Sequence, residues 1–170
     1  MLVILRIIED TMVDGPGFRT SVYAAGCPNH CPGCHNPQSW DIANGQPMST
    51  EEILRVILDD SFADVTFSGG DPMYQAEGFT ELAQAIKTQS NKSIWCYTGY
   101  TYEQLLEMPA QRQLLQYIDV LVDGRFVQEL QDESLRFRGS SNQRIIDVPK
   151  SLQQGKVVLS EYHQTVVLSL

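Results

Sequence analysis

The chain has 170 residues, with 12 Lys and Arg against 21 Asp and Glu for a formal net charge of −9, and this argues against a basic face for nucleic acid or anionic lipid. The length suits one domain, 1–170, and falls short of the roughly 250 residues of a complete eight-stranded α/β barrel, so any barrel must be partial. Apolar residues at 42% and charged residues at 19% place the chain among soluble globular proteins able to bury a core.

The opening run, MLVILRIIEDTMVDG, is apolar but is broken by Arg6, Glu9 and Asp10 before it reaches the length of a signal-peptide core. No run approaches the roughly 18 apolar residues of a membrane span. A cytoplasmic protein with no membrane partner is therefore expected. Asp14-Gly15-Pro16-Gly17 makes a turn, and Arg19 to Ala25 reads as a strand that delivers Gly26 and a cysteine-rich loop. Ser49 with Glu52 fits a capping box, and Ile53, Leu54, Ile57 and Leu58 repeat at helical spacing, predicting a helix over roughly 50 to 60. Val65-Thr66-Phe67 is a short buried-type strand running into Ser68-Gly69-Gly70-Asp71-Pro72, and Phe79, Leu82, Ala83 and Ile86 form the face of the next helix.

The alternation continues through a strand at Ser93 to Tyr97, helical segments between Tyr102 and Tyr117, and a strand Val120-Leu121-Val122 ending at Asp123-Gly124. Strand and helix in turn predict an α/β fold with a mostly parallel sheet, as a partial, open TIM-like β/α barrel. Functional groups in such sheets gather at the carboxyl ends of strands, where the cysteine loop, the Gly-Gly-Asp-Pro loop, Thr98-Gly99 and Asp123-Gly124-Arg125 all fall. Val157 to Leu159 and Thr165 to Leu168 read as short strands or docking segments.

Cys27-x3-Cys31-x2-Cys34 places three soft ligands within eight residues, which suits zinc or an iron–sulfur cluster. Structural zinc needs a fourth ligand, and His30 and His35 are each adjacent in sequence to a cysteine, which makes a closed tetrahedron awkward. An electron-carrying cluster needs a fourth cysteine, and only Cys96 remains; its setting, Ile94-Trp95-Cys96-Tyr97, reads as a core strand. Three cysteines alone would leave one iron of a four-iron cluster open for chemistry. In the Ser68 to Pro72 loop the glycines permit close backbone approach to a ligand, though an ordinary strand-to-helix turn uses the same residues. Asp123-x-Arg125 sets an anion and a cation on one side of an extended backbone, either as a site or as a solvated ion-pairing edge. Arg136, Arg138 and Arg144 form the only basic cluster, either plain surface or a contact for a cofactor carboxylate or a partner.

The spacing C-x3-C-x2-C resembles the signature of the radical S-adenosylmethionine superfamily. The string Gly26-Cys-Pro-Asn-His-Cys-Pro-Gly-Cys-His-Asn36, with Trp40, is similar to the glycyl-radical-enzyme activases, and most similar to those that act on anaerobic ribonucleoside-triphosphate reductase. Further matching segments follow in order: Asp14 to Gly17 with Arg19, Ser68 to Pro72, Trp95 with Thr98 to Tyr100, Val120 to Phe126 and Arg138 to Gln143. They span about 14 to 143, and an ordered set is far more specific than one short motif. The superfamily usually carries an aromatic residue before the third cysteine, where this chain has Gly33.

The resemblance implies a [4Fe–4S] cluster on Cys27, Cys31 and Cys34, with S-adenosyl-L-methionine held by Gly33, Cys34, His35, Ser68, Gly69, Gly70, Asp71, Asp123 and Arg125. Arg125 would suit the cofactor carboxylate. It implies reductive cleavage to a 5′-deoxyadenosyl radical, an external one-electron reductant, and the glycine-bearing loop of the reductase as target. No amino-acid general base is required. An activase of another glycyl radical enzyme, of the pyruvate formate-lyase type, and a non-enzymatic iron–sulfur carrier are the alternatives.

Overall fold

The computed structural model describes residues 1–163. One seven-stranded sheet organises them: β1 (Leu2–Thr11), β2 (Arg19–Ala24), β3 (Gln46–Met48), β4 (Asp64–Gly69), β5 (Ile94–Tyr97), β6 (Val120–Asp123) and β7 (Arg144–Asp147), in the order β3-β1-β2-β4-β5-β6-β7. Five helices accompany it: α1 (Thr50–Asp59), α2 (Ala76–Gln89), α3 (Tyr102–Leu106), α4 (Pro109–Leu115) and α5 (Val148–Gln154). The capping box forms as its sequence requires, with Ser49 Oγ accepting from the Glu52 amide at 3.1 Å and Glu52 Oε2 accepting from the Ser49 amide at 2.9 Å.

The parallel sheet expected from the alternation holds only for the central strands. β2, β4, β5 and β6 are parallel, whereas β1 and β3 on one flank and β7 on the other pair antiparallel. The connections explain this. Only residues 12–18 link β1 to β2, and residues 124–143 between β6 and β7 hold a short 3-10 turn but no α-helix, so neither link makes the helical crossover that parallel neighbours need. The sheet is not closed; β3 and β7 are its edges. Near the C-terminus, the Asp147 amide donates to the Val158 carbonyl at 2.9 Å and Leu159 bridges Ile146, so Val157 to Leu159 docks along β7. Thr165 to Leu168 lies outside the described residues.

Strand alternation divides the side chains between two faces. Val22, Phe67, Cys96 and Leu121 enter the main core with Ile53 and Ile57 of α1 and Phe79, Leu82 and Ile86 of α2. On the other face Trp95, Val122 and Ile145 form a smaller core, covered in part by Phe137 and Tyr162. Arg19, only 1% exposed, ties the Trp95 face of the sheet to the first loop. Its guanidinium donates to Thr66 Oγ1 and the Val65 carbonyl, both at 2.8 Å, and to the Pro16 carbonyl at 3.1 Å, and it lies 5.6 Å from the Trp95 ring centroid. Burial lowers its pKa, opposed chiefly by the field of Asp64. Gly15 is needed beside it, because its φ is +137° and a Cβ there would meet Arg19 Cδ at 2.8 Å.

Candidate metal centre

The parallel pairing of β2 with β4 runs from Arg19 opposite Asp64 to Ala24 opposite Gly69, so the cysteine loop and the Gly-Gly-Asp loop leave the sheet side by side. The neck of the cysteine loop is closed by the Gly26 amide on the Ser39 carbonyl at 2.7 Å and the Cys27 amide on the Trp40 carbonyl at 3.1 Å. It is stitched to β4 by the Gly70 amide on Ala24 and the Asp71 amide on Gly26. A Cβ on Gly70 would sit 2.4 Å from the Gly26 carbonyl oxygen, so these backbones touch and only glycine fits. The expected purpose of the glycines thus shifts: the Gly70 amide is committed to Ala24, and what glycine permits here is contact between two loops. Ser68, Gly69 and Gly70 nevertheless line the cleft beside the cysteines.

Beyond the neck, His30 at φ +46° and Gly33 at φ +76° turn the chain through left-handed backbone, and the Cys34 amide donates to the Cys31 carbonyl. Cys27, Cys31 and Cys34 consequently line one cleft of about 590 Å³, together with His35, Asp71, Tyr97, Phe126 and Arg138. All three thiols are free. Among the described residues no three His, Cys, Asp or Glu side chains converge tightly enough for a single metal ion. Three thiols spaced around one hollow suit a multi-iron cluster, whose corners stand apart, better than one tetrahedral ion. Burial pushes the Cys27 thiol up, partly offset by hydrogen bonding from Asn29; a bound metal would supply positive charge that opposes this. Cys96 is fully buried in the helix-side core, opposite Trp95 on its strand and outside the cleft, so it is not placed to close a cluster with the other three.

Asp71 is the hub behind the thiols. It is 1% exposed, its Oδ1 accepts from the Met73 amide at 3.0 Å, and its Oδ2 accepts from Thr98 Oγ1 at 3.0 Å, the Gly99 amide at 2.9 Å and Asn29 Nδ2 at 3.3 Å. Burial outweighs these bonds and raises its pKa to about 6. With both oxygens engaged, Asp71 fixes the relative placement of three loops. Asn29, which sequence reasoning did not single out, lies between them, and a Cβ on Gly99 would strike its amide at 2.3 Å.

The structure separates the expected Asp123 and Arg125 pair. Gly124 between them adopts φ +94°, which ends the extended alternation that would keep the two side chains on one side. Asp123, 1% exposed, turns inward to accept from Arg144 at 2.6 and 3.1 Å and from the Tyr102 amide at 2.8 Å. Glu103 shares Arg144, and these partners drive the Arg144 pKa up. Arg125 is exposed, and its guanidinium donates to the Asn29 carbonyl. Neither residue lines the cleft. Two other arginines do: Arg6, which lies over the Tyr23 ring, and Arg138, which also holds the Gln143 carbonyl at 2.7 Å and the His163 carbonyl at 2.9 Å. Arg136 rests over the Phe137 ring.

Gly33 likewise faces away, with Gln128 within 2.9 Å of where its Cβ would be. The aromatic surface beside the third cysteine comes instead from His35 and Phe126, packed edge to face at 5.5 Å. Sequence reasoning also passed over Asp14, Tyr23 and Tyr97 as cleft residues. The Tyr23 hydroxyl donates to the Asp14 carboxylate, and burial followed by that bond raises the tyrosine pKa to about 12. Tyr97 ends β5 on the Trp95 face, a strand-end position that could have signalled it.

Residues 13–146 match the family model described as a 4Fe-4S single cluster domain, which places the chain by class among iron–sulfur cluster domains. The chain is 40% identical over 142 residues to the anaerobic ribonucleoside-triphosphate reductase-activating protein of Vibrio cholerae serotype O1, covering 79% of this chain and 90% of that protein. Identity is 39% over 140 residues to the protein of that name from Escherichia coli K12, covering 78% and 90%, and 36% over 146 residues to that of Enterobacteria phage T4, covering 82% and 90%. The chain belongs to the family of anaerobic ribonucleoside-triphosphate reductase-activating proteins. No helix among the described residues is long and apolar enough to cross a membrane.

Proposed function

We propose that the chain activates an anaerobic ribonucleoside-triphosphate reductase by reductive cleavage of S-adenosylmethionine to methionine and a 5′-deoxyadenosyl radical, which takes a hydrogen atom from a glycine of the reductase. The observation that carries this is the convergence of Cys27, Cys31 and Cys34 on one cleft with Cys96 held apart. When bound, a [4Fe–4S] cluster supplies one electron and an open iron for the amino and carboxylate groups of the cofactor.

The residues of the chain supply placement and exclusion. Cys27, Cys31 and Cys34 would hold the iron, and Asp71 with Asn29 keeps their loop registered against β4 and the Thr98-Gly99 turn. Ser68, Gly69 and His35 would line the bound cofactor, and Phe126 offers a ring face for its base. Arg138 takes over the carboxylate-facing role expected of Arg125, while Asp123, locked to Arg144, braces the floor from behind. The cleft walls restrict water and competing hydrogen donors.

The same reading treats the open sheet as a partial TIM-like barrel in one domain, its missing wall supplied by the reductase. The decisive experiment places deuterium on the reductase glycine and follows it into 5′-deoxyadenosine, with the glycyl radical watched by electron paramagnetic resonance. Transfer of the label is expected. Methionine and 5′-deoxyadenosine without label would point to a different glycyl radical enzyme as target, and no cleavage by the reduced, cluster-loaded chain would leave an electron carrier.

A further inference from the structure

A second cavity, of about 530 Å³, opens behind the cysteine loop. Its lining includes Pro28, His30, Pro37, Trp40, Ile42 and Tyr74, and its other members are Cys27 and Asp41. Cys27 therefore belongs to the walls of both cavities. The His30 and Trp40 rings stack at 4.7 Å with planes 10° apart, an arrangement set by the left-handed backbone of His30 at φ +46°. Tyr74 lies against Gly26, where a Cβ would come within 2.8 Å of its ring, yet Tyr74 is 52% exposed and Ile42 is 40% exposed.

We propose that this rear cavity is the port through which a one-electron donor protein docks and reduces the cluster, an inference that rests on the function proposed above. Three arguments support it. The front cleft is taken at turnover by cofactor and glycine, so a donor needs another approach. Cys27 offers one, since its thiolate would be bonded to iron on one side while the residue walls the rear cavity on the other. Electron transfer weakens steeply with distance, which favours the side where one residue separates cluster from surface.

The rim chemistry indicates a protein occupant. In a chain of net charge −9, the only carboxylate in this lining is Asp41, whose side chain already accepts from the Ala43 amide at 2.9 Å. Exposed aromatic and aliphatic groups around a stacked ring pair suit the apolar patch that surrounds a buried redox centre, and contact of that kind depends little on salt. The step itself moves one electron: the donor is oxidised by one, the cluster is reduced by one, and no bond or proton is exchanged.

The test uses the full chain with its cluster reconstituted, followed by anaerobic stopped-flow through the loss of visible cluster absorption. Dithionite is compared with a photoreduced low-potential ferredoxin and a flavodoxin. Ile42→Glu and Tyr74→Ser, both exposed positions, are expected to slow reduction by at least one donor protein about tenfold or more, as rim changes do at docking surfaces. Dithionite reduction should stay within about twofold, since a small ion needs no docked interface. Phe62→Ser, at a distant residue that is 78% exposed, should change neither rate. Unchanged donor rates in both rim variants would overturn the port, as would equal slowing with dithionite, or a wild type that no donor protein reduces. A wild type that forms no cluster is visible before any reductant is added and defeats the underlying function instead.

Discussion

At the scale of single residues, the four cysteines divide by the face of the sheet they serve. Cys27, Cys31 and Cys34 line the cleft, while Cys96 packs among apolar side chains and its thiol pKa is raised by burial. Serine at any of the first three positions should abolish the cluster absorption and lower bound iron, whereas Cys96→Ser should retain both and lose only stability, by about 1–3 kcal/mol for a buried hydroxyl in an apolar site. Loss of the cluster in the Cys96 variant would refute the three-cysteine assignment. Asp71 carries a pH signature. Its pKa is raised in the fold to about 6, so the native state binds the proton more tightly than the unfolded chain. Its contribution is full below about pH 4 and is lost as pH rises through about 6, an effect on the order of 3 kcal/mol. Urea unfolding of the iron-free protein at pH 4 and pH 7 should show this decline, and Asp71→Asn should remove it.

At the scale of elements, the capping box and the Arg19 cluster represent two kinds of stabilisation. The box is local, and Ser49→Ala should cost about 1 kcal/mol, read as a lower thermal midpoint with cluster binding intact. Arg19 acts across elements, tying residues 12–18 to β4 and to Ser93 just before β5 from a buried position. Arg19→Met keeps much of the volume but leaves several buried acceptors without a donor, so a loss of about 3 kcal/mol or more is expected. The loop carrying Asp14, which lines the cleft, should then become sensitive to protease before the rest of the chain. The capping box was legible in the sequence because all its parts lie within four residues. The Arg19 contacts were not, since their partners lie 46 and 74 positions away along the chain.

At the scale of the whole molecule, the cleft sits at one margin of an open sheet while the main core is built against the helices on the other face. The two are energetically separable. Removing iron with a chelator should therefore abolish hydrogen-exchange protection within residues 27–41 and leave β4, β5 and α2 protected, because local opening follows local contacts. Global unfolding on iron removal would contradict this division. The open flank also leaves room for a partner segment. In the proposed function a short glycine-containing peptide from the reductase should accept the hydrogen transfer more weakly than the whole reductase, since it brings fewer contacts to complete the wall.

The sequence by itself determined the elements and the candidate ligands: hydrophobic periodicity located α1, α2 and the central strands, and the spacing of Cys27, Cys31 and Cys34 pointed to a soft-metal loop. These features are encoded locally, in runs of a few residues whose chemistry does not depend on distant neighbours. The tertiary structure decided direction and partnership. Links without an α-helix turned β1 and β7 antiparallel, and the left-handed backbone of Gly124 separated Asp123 from Arg125. Arg138 and Phe126 became neighbours of the thiols, and Asp71 a partner of Asn29, only through folding, because which side chains face one hollow depends on strand order and backbone handedness at positions far apart in the chain.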